Sequence, residues 1–109
     1  MHAGSEPLDG IFQALADPTR RAILARLGGG PAAVGELAQP FDMALPSFMK
    51  HIAALEQSGL IRTEKSGRVR TCTLERATFA LVDGWLGEQR RLWAGRTDRL
   101  EAFVTRDIT

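Results

Sequence analysis

The sequence predicts a mainly α-helical fold interrupted by one two-stranded β-hairpin. Three observations lead there. Apolar residues recur at steps of three and four up to residue 58 and again beyond residue 76. Proline and glycine cut the first stretch into short pieces. Between the two stretches, residues 60–65 and 68–74 are rich in Ile, Val and Thr and flank Ser66-Gly67, the pattern of a tight hairpin. With 109 residues, 44% hydrophobic and 25% charged, the composition is that of an ordinary globular chain with one core.

Taken in order, residues 1–7 read as a flexible tail and residues 8–109 as one domain. Leu8, Ile11, Phe12 and Leu15 fall at helical spacing and define a first helix. Asp17-Pro18 ends it and starts a second: Asp17 is the N-cap, and Pro18 takes a first-turn position where a missing N–H costs nothing. That helix runs to about Leu27, where Gly28-Gly29-Gly30-Pro31 stops it. Residues 33–38 (AVGELA) form a third, short helix, and residues 39–43 a turn. Residues 45–58 form a fourth helix, with Pro46 in its first turn and Gly59 as a left-handed stop. In the hairpin, a Ser66-Gly67 loop sets Lys65 opposite Arg68, Thr63 opposite Arg70 and Ile61 opposite Cys72, so that Ile61, Cys72 and Leu74 share the inner face. From about Arg76 to Arg106 no proline intervenes. Phe79, Val82, Trp85, Leu86, Leu92, Trp93, Leu100 and Phe103 mark one long amphipathic helix, with Gly84 and Gly87 as candidate breaks.

The order α-α-α-α-β-β-α is that of a winged helix-turn-helix, in which a short third helix braces a fourth that enters a major groove. The fourth helix carries two stripes. Leu45, Met49, Ile52 and Leu55 are expected to face the core, while Ser47, Lys50, His51, Ala54 and Ser58 form a small, polar and basic surface that can approach base edges. Net charge is only +1, but Arg62, Lys65, Arg68 and Arg70 against Glu64 give the hairpin a local balance of +3 and leave the rest of the chain at −2. Such a cluster is either a phosphate-binding wing or a solvated hairpin tip.

Other chemistries find little support. Cys72 is the one cysteine, which excludes a disulfide framework and fits a reducing cytoplasm. On the inner hairpin face it reads as a small buried hydrophobe rather than a redox switch. His2 and His51 are too few and too scattered for a metal site, and no cofactor is called for. The triple glycine lacks the Gly-Lys-Ser/Thr ending of a phosphate cradle. No apolar run approaches the ~18 residues that span a bilayer, and the N-terminal MHAGSEPLDG lacks a basic stretch followed by an apolar one, so neither a membrane nor an export route is expected.

A last helix of about 30 residues extends ~45 Å at 1.5 Å per residue, beyond the ~35 Å breadth of so small a body, so a second chain is expected to cover part of it. Leu8, Ile11, Phe12 and Leu15 of the first helix and Leu92, Trp93, Leu100 and Phe103 of the last are the candidate interface residues. Trp85 and Trp93, eight residues apart on an amphipathic helix, read as core or interface positions rather than the lining of an effector pocket.

Asp17-Pro18-Thr19-Arg20-Arg21 with Ile23-Leu24, then Glu36-Leu37-Ala38, Leu45-Pro46 with Lys50-His51-Ile52 and Leu55, then Gly59-Leu60-Ile61 and Gly67-Arg68 resemble the ArsR/SmtB family of bacterial winged-helix repressors over about residues 8–75. The resemblance implies a homodimer, held by its first and last helices, that binds partly palindromic double-stranded DNA and represses nearby genes. It departs from the family where metal is sensed: residues 36–42 (ELAQPFD) hold no cysteine and residues 76–109 no histidine. Met49 stands where many relatives have serine. The expected DNA-contacting residues are Ser47, Lys50, His51, Arg62, Lys65, Arg68 and Arg70, and no effector is named. A winged helix used only for protein association is the alternative, and an enzyme is excluded for want of a nucleophile, base and orienting group that meet.

Overall fold

The computed structural model describes the backbone of residues 6–108 and the side chains of residues 7–95. Two compact units result, residues 1–79 and 80–109. The first holds four helices, a small sheet and the start of a fifth helix; the second is the remainder of that helix.

Helix α1 spans Glu6–Leu15. It takes in Glu6 and Pro7, which the sequence reading gave to the tail, because proline is tolerated in a helical first turn; residues 1–5 of that tail lie outside the described residues. The Arg21 guanidinium donates to the Leu15 carbonyl at 2.7 Å, satisfying one of the acceptors left open where α1 ends. Helix α2 spans Pro18–Leu27, and the Asp17 carboxylate accepts from the Arg20 amide at 3.1 Å, the expected cap.

A short strand β1, Ala32–Ala33, precedes helix α3, Val34–Ala38. The sequence assigned Ala33 to the helix and did not foresee a strand. A two-residue pairing has no local signature: it exists because Ala32 and Ala33 lie antiparallel to Cys72 and Thr71. At the start of α3 the Glu36 carboxylate reaches back to the Ala33 amide at 3.4 Å. Helix α4 spans Leu45–Gln57 with Pro46 in its first turn, and Gly59 follows at φ 82 as the stop. Gly59 is held there by Thr78, whose hydroxyl donates to the Gly59 carbonyl at 2.6 Å.

Strands β2 (Ile61–Ser66) and β3 (Val69–Leu74) complete a sheet of order β1-β3-β2. Their register corrects the expectation. Lys65 pairs with Arg70, Thr63 with Cys72 and Ile61 with Leu74, and Gly67-Arg68 is the loop. Gly67 alone has positive φ, 62, whereas Arg68 does not, so glycine occupies the first loop position, as a type II′ turn requires. The slip is by two residues, and because side chains alternate with period two every one of them keeps its expected face. Cys72 is accordingly fully buried.

The core of the first unit joins Ile11 and Ala14 of α1, Ile23, Leu24 and Leu27 of α2, Leu37 of α3, and Phe48, Ile52 and Leu55 of α4 to Leu60, Ile61 and Cys72. Here α4 departs from its expected rotation. Leu45 is 59% exposed and Met49 half-buried, while Phe48 is buried against the tilted ring of Phe41 at 5.5 Å. The buried row is Phe48, Ile52 and Leu55, four and three residues apart, which turns the large aromatic inward and leaves Leu45 on the rim.

Helix α5 runs unbroken over Arg76–Ile108, about 50 Å at 1.5 Å per residue, without a break at Gly84 or Gly87. Along it Leu81, Leu92 and Trp93 are more than half exposed. Among the described residues no helix is long and apolar enough to cross a membrane.

Candidate nucleic-acid interface

The candidate surface is built on α4 and on the wing formed by β2 and β3. With Phe48, Ile52 and Leu55 turned inward, Pro46, Ser47, Lys50, Ala53 and Gln57 form an exposed face of α4, and Leu45 and Glu56 are exposed at its flanks. Ser47 and Lys50 therefore stand where the sequence put them. Pro46, Ala53 and Gln57 were missed because Phe48 was left out of the apolar row; with Phe48, Ile52 and Leu55 four and three residues apart, the opposite face follows.

The other half of the expected polar stripe serves the fold instead. Ser58 donates to the Leu55 carbonyl at 2.8 Å. His51 is half-buried, and its Nδ1 accepts from Arg20 Nε at 3.1 Å and lies 3.8 Å from the Asp17 carboxylate. With Nδ1 accepting, a neutral ring carries its hydrogen on Nε2. His51 thus ties the middle of α4 to the N-terminus of α2 and is a positioning residue rather than part of the exposed face. Burial works to raise the Asp17 carboxyl, but the Arg20 amide, the neighbouring His51, the Thr19 amide and the Arg20 guanidinium outweigh it and hold the group below the ordinary carboxylate value.

The four wing cations separate into two kinds. Arg62, at the base of β2, is hydrogen-bonded to Glu75 and lies 3.5 Å from Glu64. The bond to Glu75 raises its guanidinium further above its ordinary value, so the arginine is engaged within the hairpin base. Arg70 is half-buried and donates to Thr63 Oγ1 at 2.8 Å, and that hydroxyl donates to Glu56 of α4 at 2.8 Å. This chain of bonds fixes the wing to the end of α4. Lys65 and Arg68 are exposed beside the loop. Lys65 also stands directly opposite Arg70 in the ladder. Like charges at that position destabilise a hairpin.

Between α4 and the wing lies a cleft of about 420 Å³. Ala33, Val34 and Gly35 form one wall, Leu45 and Met49 of α4 another, and Lys65, Arg68, Val69 and Arg70 the third. The first turns of α4 and the basic wing consequently border one concave surface. Cys72 takes no part: burial pushes its thiol up, Glu56 adds to this, and Arg70 offsets only part, so the reactive thiolate is disfavoured. Among the described residues no group of three or more His, Cys, Asp or Glu is placed to hold a metal ion.

Of the expected interface residues, Leu8 and Leu15 are half-buried and Phe12 is 38% exposed. Ile11 is 1% exposed and belongs to the core of its own unit, because the helical face that carries Ile11 and Ala14 packs inward. Leu92 and Trp93 are 56% and 51% exposed. The side chains of Leu100 and Phe103 lie outside the described residues.

A family model described as a helix-turn-helix domain matches residues 15–64. The chain is 37% identical over 101 residues to the HTH-type transcriptional regulator Rv2034 of Mycobacterium tuberculosis, covering 93% of this chain and 81% of that protein. Over 61 residues it is 36% identical to the transcriptional repressor SdpR of Bacillus subtilis, covering 56% of this chain and 68% of that protein. Among solved structures, the crystal structure of an ArsR family transcriptional regulator is 66% identical with a TM-score of 0.81, covering 86% of this chain and 97% of that one. An ArsR-like transcriptional regulator from Rhodococcus sp. RHA1 is 27% identical with a TM-score of 0.74, covering 89% and 92%. The helical order, the wing and these likenesses over most of the chain agree: it belongs to the ArsR/SmtB family of winged helix-turn-helix transcriptional regulators, which bind DNA and are not enzymes.

Proposed function

We propose that this protein is a homodimeric repressor that reads a partly palindromic operator with α4 and grips the flanking phosphates with its wing, without control by metal. The observation that carries the reading is the joining of two surfaces within one compact unit. The exposed face of α4, with Ser47 and Lys50, borders through Leu45 and Met49 the cleft that Lys65 and Arg68 line. A helix presenting small and basic side chains to base edges, beside a cationic hairpin, suits a duplex whose groove is read and whose backbone is neutralised. Similarity to a protein named as a transcriptional repressor supports the sign of the regulation.

Dimerisation is supported by α5, whose Leu92 and Trp93 expose more apolar surface than a solvated helix requires. Two copies related by a twofold axis present two reading helices, and their half-sites are expected about 10 base pairs, or a multiple, apart. Metal independence is supported by the sequestered Cys72 and by the position of His51 between Arg20 and Asp17.

A gel-shift with the DNA upstream of the protein's own gene tests the reading. A discrete complex of two chains per duplex, unchanged by stoichiometric zinc, cadmium or arsenite, is expected. Absence of any preference for that DNA over a scrambled duplex overturns the repressor reading and favours a protein-association module. A loss of affinity at stoichiometric metal overturns the metal-independent part alone.

A further inference from the structure

The cleft between α4 and the wing has a cationic rim and an apolar floor. Lys65, Arg68 and Arg70 provide the rim. On the floor stand Leu45, 59% exposed, Val69, 51% exposed, and the half-buried Met49. Leu45 and Met49 are four residues apart, so they lie one above the other along the wing-side flank of α4, beside the row that carries Lys50. Neither Leu45 nor Val69 is needed by the core, which Phe48 fills in place of Leu45. The partner suited to this surface is polyanionic yet presents a small apolar knob at the depth of the floor.

Resting on the DNA-binding reading above, we propose that Leu45, backed by Met49, is a specificity-determining residue that reads thymine by its methyl group. The chemistry singles out one occupant. In the major groove the edges of the base pairs offer donors and acceptors, and the C5 methyl of thymine is the apolar group among them. The first turns of a reading helix are the part that reaches base edges, and Leu45 opens α4. Lys65 and Arg68, together on the wing wall, complement the phosphates along one edge of the groove, beside the bases that Leu45 meets from the facing wall. Val69 closes the wing side of the pocket and excludes water from the methyl contact.

The test uses the full chain and a duplex selected from random sequences for tightest binding. Each thymine is replaced singly by deoxyuridine, which pairs identically and lacks the methyl. At one or two thymines per half-site the wild-type protein is expected to lose about fourfold in affinity, the equivalent of the ~0.8 kcal/mol of burying one methyl. Leu45→Ala is expected to bind the unmodified duplex more weakly and to show no further loss at those same positions. Thermal melting of Leu45→Ala reports its fold, and Met49→Ala supplies a second variant with the same expected pattern. Equal affinity for every deoxyuridine duplex, or an unchanged penalty in Leu45→Ala, overturns the proposal while leaving DNA binding intact. Silent deoxyuridine positions together with a raised melting temperature in decanoate would assign the cleft to a small amphipathic anion, and that also overturns it. Failure to select any duplex overturns the DNA-binding reading itself, and this inference with it.

Discussion

Asp17 shows how one side chain serves two elements. Its carboxylate caps α2 through the Arg20 amide and faces His51 of α4, so the start of α2 and the middle of α4 share one charged junction. Because its neighbours hold the carboxyl below its ordinary value, its contribution to stability has a defined sign with pH. A group whose affinity for protons is weaker in the folded state stabilises fully above the unfolded-state value, near 3.9, and that stabilisation is lost as pH falls through the folded value below it. Asp17→Asn keeps a capping oxygen but cannot ionise. Thermal melts from pH 7 to pH 3 are therefore expected to show wild type above Asp17→Asn near neutrality, with the gap closing below about pH 4. A gap that widens in acid contradicts the assignment. Asp17→Ala is expected to cost about 1 kcal/mol at neutral pH through loss of the cap.

Among the elements, those announced by covalent constraints were legible: Asp17-Pro18 starts α2 and Gly59 ends α4. What sequence alone left undetermined was rotation and register. Leu45 and Phe48 both fit an apolar spacing with Ile52 and Leu55, and the choice depends on which side chain the other helices leave room for; the structure fills that room with Phe48. Register in the wing depended on which loop position needs positive φ, a property of turn geometry rather than of the alternating pattern. The same rotation sets His51 against Arg20, and the charge count could not show that Arg62 is hydrogen-bonded to Glu75. The rotation of α4 has a direct test. Phe48→Ala is expected to lower stability by about 3–5 kcal/mol, whereas Leu45→Ala stays within about 0.5 kcal/mol in the absence of DNA. Denaturant unfolding distinguishes them, and comparable losses from the two substitutions contradict the observed rotation.

At the scale of the whole molecule, the proposed repressor depends on two copies of α4 held by one dimer. Exposed Leu92 and Trp93 on α5 are the described residues best suited to hold it. Replacing both with alanine is expected to weaken self-association by about 2 kcal/mol or more, roughly thirtyfold, as for buried aromatic anchors elsewhere. Sedimentation at micromolar concentration reads the change, and a wild-type monomer of about 12 kDa that binds its operator tightly contradicts the dimer. The central claim, that α4 discriminates bases while the wing neutralises phosphates, is tested most directly by one set of titrations. Operator and scrambled duplexes are titrated over a range of salt concentrations with wild type and with Lys50→Ala, Arg68→Ala and Arg62→Ala. Arg68→Ala is expected to weaken binding to both duplexes and to reduce the magnitude of the salt slope by about 1 per subunit. Lys50→Ala should mainly erase the preference for operator, and Arg62→Ala, whose charge is already spoken for within the hairpin base, should leave both slope and preference near wild type. Wild-type slope and preference in both Arg68→Ala and Lys50→Ala would contradict the account.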